Sequence, residues 1–177
     1  VADAALWGLV PGWVKDPSAH SRPINARAET VAEKPSFRGA FHRKRCLLPA
    51  SGFYEWRAAG KAKQPFYIQP TGHPLMAFAG LLEDWQGPGG EVMVSACILT
   101  TTPNAVMAPI HDRMPVILPP EAWSLWLDPA AQGRELQRLL APCPDAALRA
   151  HPVGPAVGNP RNQGLDLMAP LPSLDGL

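Results

Sequence analysis

Paired cysteines are missing from this sequence. The three present, Cys46, Cys97 and Cys143, lie far apart and form no C-x-x-C pair. That argues against a disulfide scaffold and a paired-thiol zinc site. They read instead as small buried hydrophobes in a reducing setting. Long apolar runs are missing too. No stretch approaches the roughly 20 residues of a membrane-spanning helix, and no secretory signal opens the chain. The expected location is the cytoplasm, with no membrane partner. An excess of charge of one sign is also absent: 16 Lys and Arg face 15 Asp and Glu, for a net charge of +1. A generic polyanion binder would carry more. There is no G-x-G-x-x-G or Walker loop, so a nucleotide cofactor is not expected. There is no H-E-x-x-H, and neither a metal nor an organic cofactor is expected. The G-x-S-x-G elbow of a serine hydrolase is absent as well.

Proline and glycine are what the chain has in quantity, 22 and 15 of 177 residues. They favour turns and short elements over long helices. The length suits one domain spanning residues 1–177. Strands are expected at Leu6–Val10, Cys46–Leu48, Gly52–Arg57, Pro65–Gln69, Leu75–Leu82, Val92–Thr101 and Met114–Leu118. Short helices are expected over Asn25–Glu33 with Asn25 as N-cap, and over Ser36–Lys44 with Phe37 and Phe41 on one face. Two more are expected in "PPEAWSLWLD" and "AAQGRELQRLLAP". The tail from His151 is too rich in Gly and Pro for a helix. Strands in succession without intervening helices imply antiparallel pairing. The fold class is therefore α+β, a mostly antiparallel sheet, open or barrel-like, with short flanking helices.

The stretch "LPASGFYEWR" (Leu48–Arg57) sets one carboxylate among apolar and aromatic residues. On a strand, Phe53, Glu55 and Arg57 share one face, and Tyr54 and Trp56 the other. Glu55 is then an ion-pair partner of Arg57, part of a partly exposed strand face, or a proton-transfer carboxyl beside an aromatic wall. His111 in "IHDRMPVIL" stands among charges at a strand entrance, either at a cleft rim or bonded to backbone. Asn25 and Arg27 in "PINARAET" offer an amide and a planar phosphate-binding fork, or simply a cap and a surface arginine. From Arg22 to Arg45 there are seven Lys or Arg and two acids. That suits phosphate contacts at a defined place, or a solvated helix face. Trp7, Trp13 and Trp56 are candidates for stacking on bases. Glu83-Asp84 leaves a glycosidase-type carboxylate pair open, but follows an apolar strand and looks like a solvated strand end.

In order along the chain stand "WGLVPGW", "NARAET", "RCLLPASGFYEW", "FAGLLEDW", "LTTTPN", "IHDRMPVIL" and "VGNPRNQG". Together they strongly resemble the SRAP family, the SOS response-associated peptidase domain, from about Leu6 to Pro170. The resemblance implies an α+β fold around an antiparallel barrel-like sheet. It implies a partner, single-stranded DNA containing abasic sites, and an activity that shields those sites by a covalent DNA–protein crosslink. In such proteins removal of the initiator Met exposes a cysteine whose amine and thiol close a thiazolidine on the open-chain sugar. It implies Asn25 as the group positioning that amine, Glu55 as general acid and base, and His111 as the aid to sugar-ring opening. Arg27 and Arg113 would hold flanking phosphates, Trp13 and Trp56 would meet bases, and Thr100 would touch the backbone. The family's opening Met-Cys-Gly-Arg segment is not in this sequence. The chain is expected to lack its N-terminal segment, the other reading being a variant without covalent chemistry. A binding module for single-stranded DNA is the alternative to catalysis, and a peptidase acting on other proteins a weaker one.

Overall fold

The computed structural model describes residues 4–60 and 62–172. Its elements run β1 (Leu6–Trp7), β2 (Asn25–Arg27), α1 (Pro35–Arg43), β3 (Arg45–Ala50), β4 (Phe53–Ala59), β5 (Ala62–Pro70), β6 (Met76–Gln86) and β7 (Val92–Thr101). Next along the chain are β8 (Met114–Pro115), β9 (Ile117–Leu118), α2 (Trp123–Leu127), α3 (Arg134–Arg138) and β10 (Leu148–Pro152), with short 3₁₀ segments before α2 and before β10 and two more, Pro155–Gly158 and Leu165–Met168, after it. The class is mixed α+β and the sheets are not closed. The chain divides into two compact units. One holds the residues up to Pro49, Ala77–Thr102 and Pro115–Pro142. The other holds Ala50–Met76, Pro103–Met114 and the residues from Cys143 onward.

The first unit is built on the sheet β1-β7-β6-β3. β6 and β7 pair antiparallel, Gly80 opposite Ile98 and Leu82 opposite Ala96. β1 and β2 both lie along β7 in parallel, Leu6 beside Ser95 and Arg27 beside Thr100. Helix α1 packs Phe37, Ala40 and Phe41 into the core, the apolar spacing that the sequence shows. They join Leu9, Leu81, Leu99, Val116 and the fully buried Trp126 in one cluster. The Trp126 indole N–H donates to the Cys46 carbonyl at 2.8 Å, so burial leaves its one polar atom satisfied.

Arg45 is a buried fastener, not a surface charge. Its Nη1 donates to the carbonyls of Phe41 at 2.6 Å and His42 at 2.9 Å, and its Nε to that of Trp126 at 2.7 Å. Its Nη2 donates to the carbonyl of Asp128. These carbonyls lie at the C-terminal ends of α1 and α2, where the helical ladder leaves them unpaired. The basic segment counted from the sequence therefore loses Arg45. Lys44 leaves it too, since its ammonium sits 2.9 Å from Asp84 and 3.7 Å from Glu83. Glu83-Asp84 is thus a salt-bridged pair inside β6 rather than a solvated strand end.

The second unit is the antiparallel sheet β10-β5-β4. β4 and β5 are joined through Gly60, whose φ of 63° suits a residue without a side chain. Glu55 pairs with Phe66, Tyr54 with Tyr67, and His151 of β10 with Tyr67.

Three local expectations are corrected. Asn25–Glu33 is not a helix. Asn25–Arg27 is strand β2, because Ala26 is buried in the core and the backbone pairs with Ile98–Thr100 of β7. Beyond Arg27 the chain turns, with Glu33 and Lys34 both donating to the Thr30 carbonyl. The strand at Leu6–Val10 stops at Trp7, because Gly8 takes φ 108°. Met114–Leu118 is cut in two at Val116, which still donates to Leu99 and accepts from Ala79. The β10 strand was not expected at all.

Candidate functional site

In the second unit the sheet and one anchored segment bring Glu55 and His111 together. Glu55 stands on β4 with its carboxylate partly exposed, Oε2 at 3.3 Å from its neighbour's main-chain N–H at Trp56. The Glu55–Arg57 pair does not form. The Arg57 guanidinium lies over the Phe66 ring at 4.8 Å from its centre. On the other face of the hairpin, Tyr54 packs on Tyr67 at 5.1 Å between ring centres, and Tyr67 meets His151 edge-on at 5.8 Å. The Tyr54 hydroxyl is pushed up in pKa, first by burial and then by the Tyr67 and Asp166 charges. Trp56, half-buried, alternates to the face away from Glu55.

His111 arrives from a segment that the sequence does not mark as ordered. Buried Asn104 holds it: Oδ1 accepts the Met107 N–H at 3.0 Å, the Asn104 carbonyl accepts Ala108 at 2.9 Å, and Nδ2 donates to the Cys143 carbonyl at 3.2 Å. The Met107 carbonyl then accepts the His111 N–H at 2.9 Å. The imidazole Nε2 lies 4.0 Å from Glu55 Oε2. Its Nδ1 is 3.0 Å from the Arg113 N–H, 3.2 Å from the Arg113 carbonyl and 3.3 Å from Asp112 Oδ1. A main-chain N–H can only donate, so in the neutral ring the Arg113 N–H favours the proton on Nε2, facing Glu55, whereas the Arg113 carbonyl and Asp112 favour it on Nδ1. Asn104 and Asp112 are the residues supporting and flanking His111 that residue-by-residue reading missed. The signals were the Asn of "TTTPN" and the Asp inside "HDR".

The other candidates belong to the first unit. Asn25 and Arg27 are exposed on β2, flanking buried Ala26. Thr100 opposite Arg27 is buried and its carbonyl accepts the Ala28 N–H at 2.9 Å. Trp13 is 62% exposed and meets the His20 ring edge-on at 5.6 Å. The other indoles, Trp85, Trp123 and Trp126, donate to main-chain carbonyls and serve packing.

The thiols do not supply a nucleophile. Burial pushes Cys46 and Cys97 up to about 12 and Cys143 up to about 11. All three are free and hold their protons at neutral pH. Among the described residues no group of three or more His, Cys, Asp or Glu is arranged to hold a metal. No helix among them is long and apolar enough to cross a membrane.

The family model for SOS response associated peptidase (SRAP) matches residues 1–160. The chain belongs to the SRAP family. Among SRAP relatives, the abasic site processing protein YoqW of Bacillus subtilis is 45% identical over 164 residues, covering 92% of this chain and 73% of that protein. YedK of Escherichia coli, named in the same way, is 35% identical over 173 residues, with 96% and 75% covered. HMCES of Xenopus tropicalis is 34% identical over 193 residues, and the chain spans 57% of its length. A crystal structure of a Bacteroides thetaiotaomicron protein superposes with a TM-score of 0.88 at 33% identity, covering 93% of this chain and 75% of that one.

Proposed function

We propose that this SRAP chain senses abasic sites in single-stranded DNA and shields them through a covalent bond to the sugar. The observation that carries the reading is the Glu55–His111 pair. A carboxylate and an imidazole nitrogen 4.0 Å apart are too distant for a direct hydrogen bond. They leave room to share one hydroxyl between them. An abasic sugar rests mainly as a closed hemiacetal. Opening it moves the anomeric hydroxyl proton away and delivers a proton to the ring oxygen. A paired acid and base performs both transfers. The exposed aldehyde then condenses with the amine of an amino-terminal cysteine. The carbinolamine loses water to an imine, again under acid catalysis, and the thiol adds to the imine carbon to close a thiazolidine. None of the three cysteines of this chain suits that role, so the reading takes as nucleophile an amino-terminal cysteine that is not among these 177 residues. The same Glu55 would move the proton in autoproteolytic Met removal.

In this reading Asn25 positions the amine and the developing alkoxide. Arg27 and Arg113 hold phosphates on either side of the lesion, Trp13 and Trp56 meet bases, and Thr100 touches the backbone. Residues 1–177 act as one SRAP domain, in the cytoplasm and on DNA, without metal or organic cofactor.

The test is an oligonucleotide carrying one abasic site, incubated with the intact protein and resolved on a denaturing gel. A retarded band is expected with the unaltered protein. Glu55→Gln and His111→Ala should slow its formation by about 10²-fold or more, the usual size of a lost proton-transfer group. Salt-sensitive binding with no covalent band at any time would refute the reading and leave a non-covalent single-stranded DNA module.

A further inference from the structure

Three groups crowd one nitrogen of His111, and they do not want the same thing from it. The Arg113 main-chain N–H at 3.0 Å needs Nδ1 bare. The Arg113 carbonyl at 3.2 Å and the Asp112 carboxylate at 3.3 Å need Nδ1 protonated. Among the described residues, the acidic side chain facing the opposite nitrogen is Glu55, at 4.0 Å from Nε2. With Nδ1 bare, the ring presents Nε2–H and can only donate. With Nδ1 protonated, the neutral ring presents a lone pair at Nε2 and can accept a proton. From the geometry we infer that Asp112 is a positioning residue. It holds the Nδ1–H form of His111 against the pull of the Arg113 N–H, and so keeps Nε2 available as a base.

The inference rests on the proposed abasic-site chemistry only for its effect on rate. The proton balance is simple. Moving from the resting to the accepting form transfers one proton from Nε2 to Nδ1, through solvent, with no change in net charge. The Asp112 carboxylate is 90% exposed. Its pull is therefore that of an exposed ion pair, modest rather than decisive. The same exposure means that replacing it does not disturb packing.

The experiment is ¹⁵N nuclear magnetic resonance of the histidine-labelled protein, with the His111 signals assigned by their loss in His111→Gln. In the unaltered protein the His111 Nδ1 signal should lie between the protonated and bare positions. In Asp112→Asn and Asp112→Ala it should move toward the bare position, the Nδ1–H share falling about two- to five-fold. The rate of adduct formation on abasic single-stranded DNA should fall by about the same factor. An unmoved ¹⁵N signal overturns the inference, and so does an unchanged adduct rate. If the unaltered protein forms no adduct, the functional reading fails while the ¹⁵N comparison still decides the role of Asp112.

Discussion

Replacing Arg45 with Met tests the claim that a charged residue from the basic stretch is a structural fastener. The guanidinium bonds the carbonyls of Phe41, His42, Trp126 and Asp128. Arg45 itself is only 9% exposed. Met fills much of the same volume but donates nothing. The bonds to the Phe41 and Trp126 carbonyls are buried, and each carbonyl stranded there costs about 1–3 kcal/mol. The removed charge no longer has to be desolvated, and the thioether adds apolar contact, so part of that cost is offset. A net loss of about 3 kcal/mol is expected, and for a chain of this size each kcal/mol lowers the melting temperature by about 2–4 °C. The expected fall is about 6–12 °C, read by circular dichroism. Arg45→Lys keeps the charge but has a single donor nitrogen, and should fall between Met and the unaltered protein. A melting temperature for Arg45→Met within a degree of the original would refute the assignment. It would return Arg45 to the surface patch.

Arg27→Ala should weaken binding to single-stranded DNA and lower the slope of log affinity against log salt by about one, in a filter or anisotropy titration at several salt concentrations. An unchanged slope would remove Arg27 from the phosphate contacts. The three thiols should resist alkylation in the folded protein near pH 8 and react together once denatured. Their folded pKa values exceed that of a free thiol, so the unfolded chain releases these protons first. The stability they contribute is complete below about pH 8.5 and is lost progressively as pH rises toward 11–12, which urea midpoints across that range would show. Gly80→Ala places a methyl 2.8 Å from both the Cys46 sulfur and a Leu48 methyl, and should cost about 1–3 kcal/mol by urea denaturation. Gly80→Ala combined with Cys46→Ala should recover part of that loss.

Much of the architecture was legible because it rests on local pattern. Phe37 and Phe41 mark α1 by their spacing, and the apolar run of Val92–Thr101 matches β7 at both ends. The hidden parts depend on partners distant in the chain. Asn25–Arg27 carries the composition of a helix start, yet becomes strand because β7 offers unpaired backbone beside it. β10 has only five residues, two of them charged or titratable and one a proline, and exists because β5 aligns it. Glu55 and His111 approach each other from well-separated parts of the chain, and no local rule announces it. The ordered motifs supplied both residues through family likeness. The Asn104 anchor and the Asp112 carboxylate needed coordinates.

Because β2 is only three residues long and alternates, its outward pair and its inward residue are one step from trading places. Deleting or inserting a single residue in the preceding loop, if the strand kept its hold on β7, would drive an amide or a guanidinium into the site of the Ala26 methyl and turn an apolar group to water. The loop is thus free to change its composition but not its phase. Length variation among natural versions of this segment should therefore arrive in steps that preserve which way Asn25 and Arg27 look.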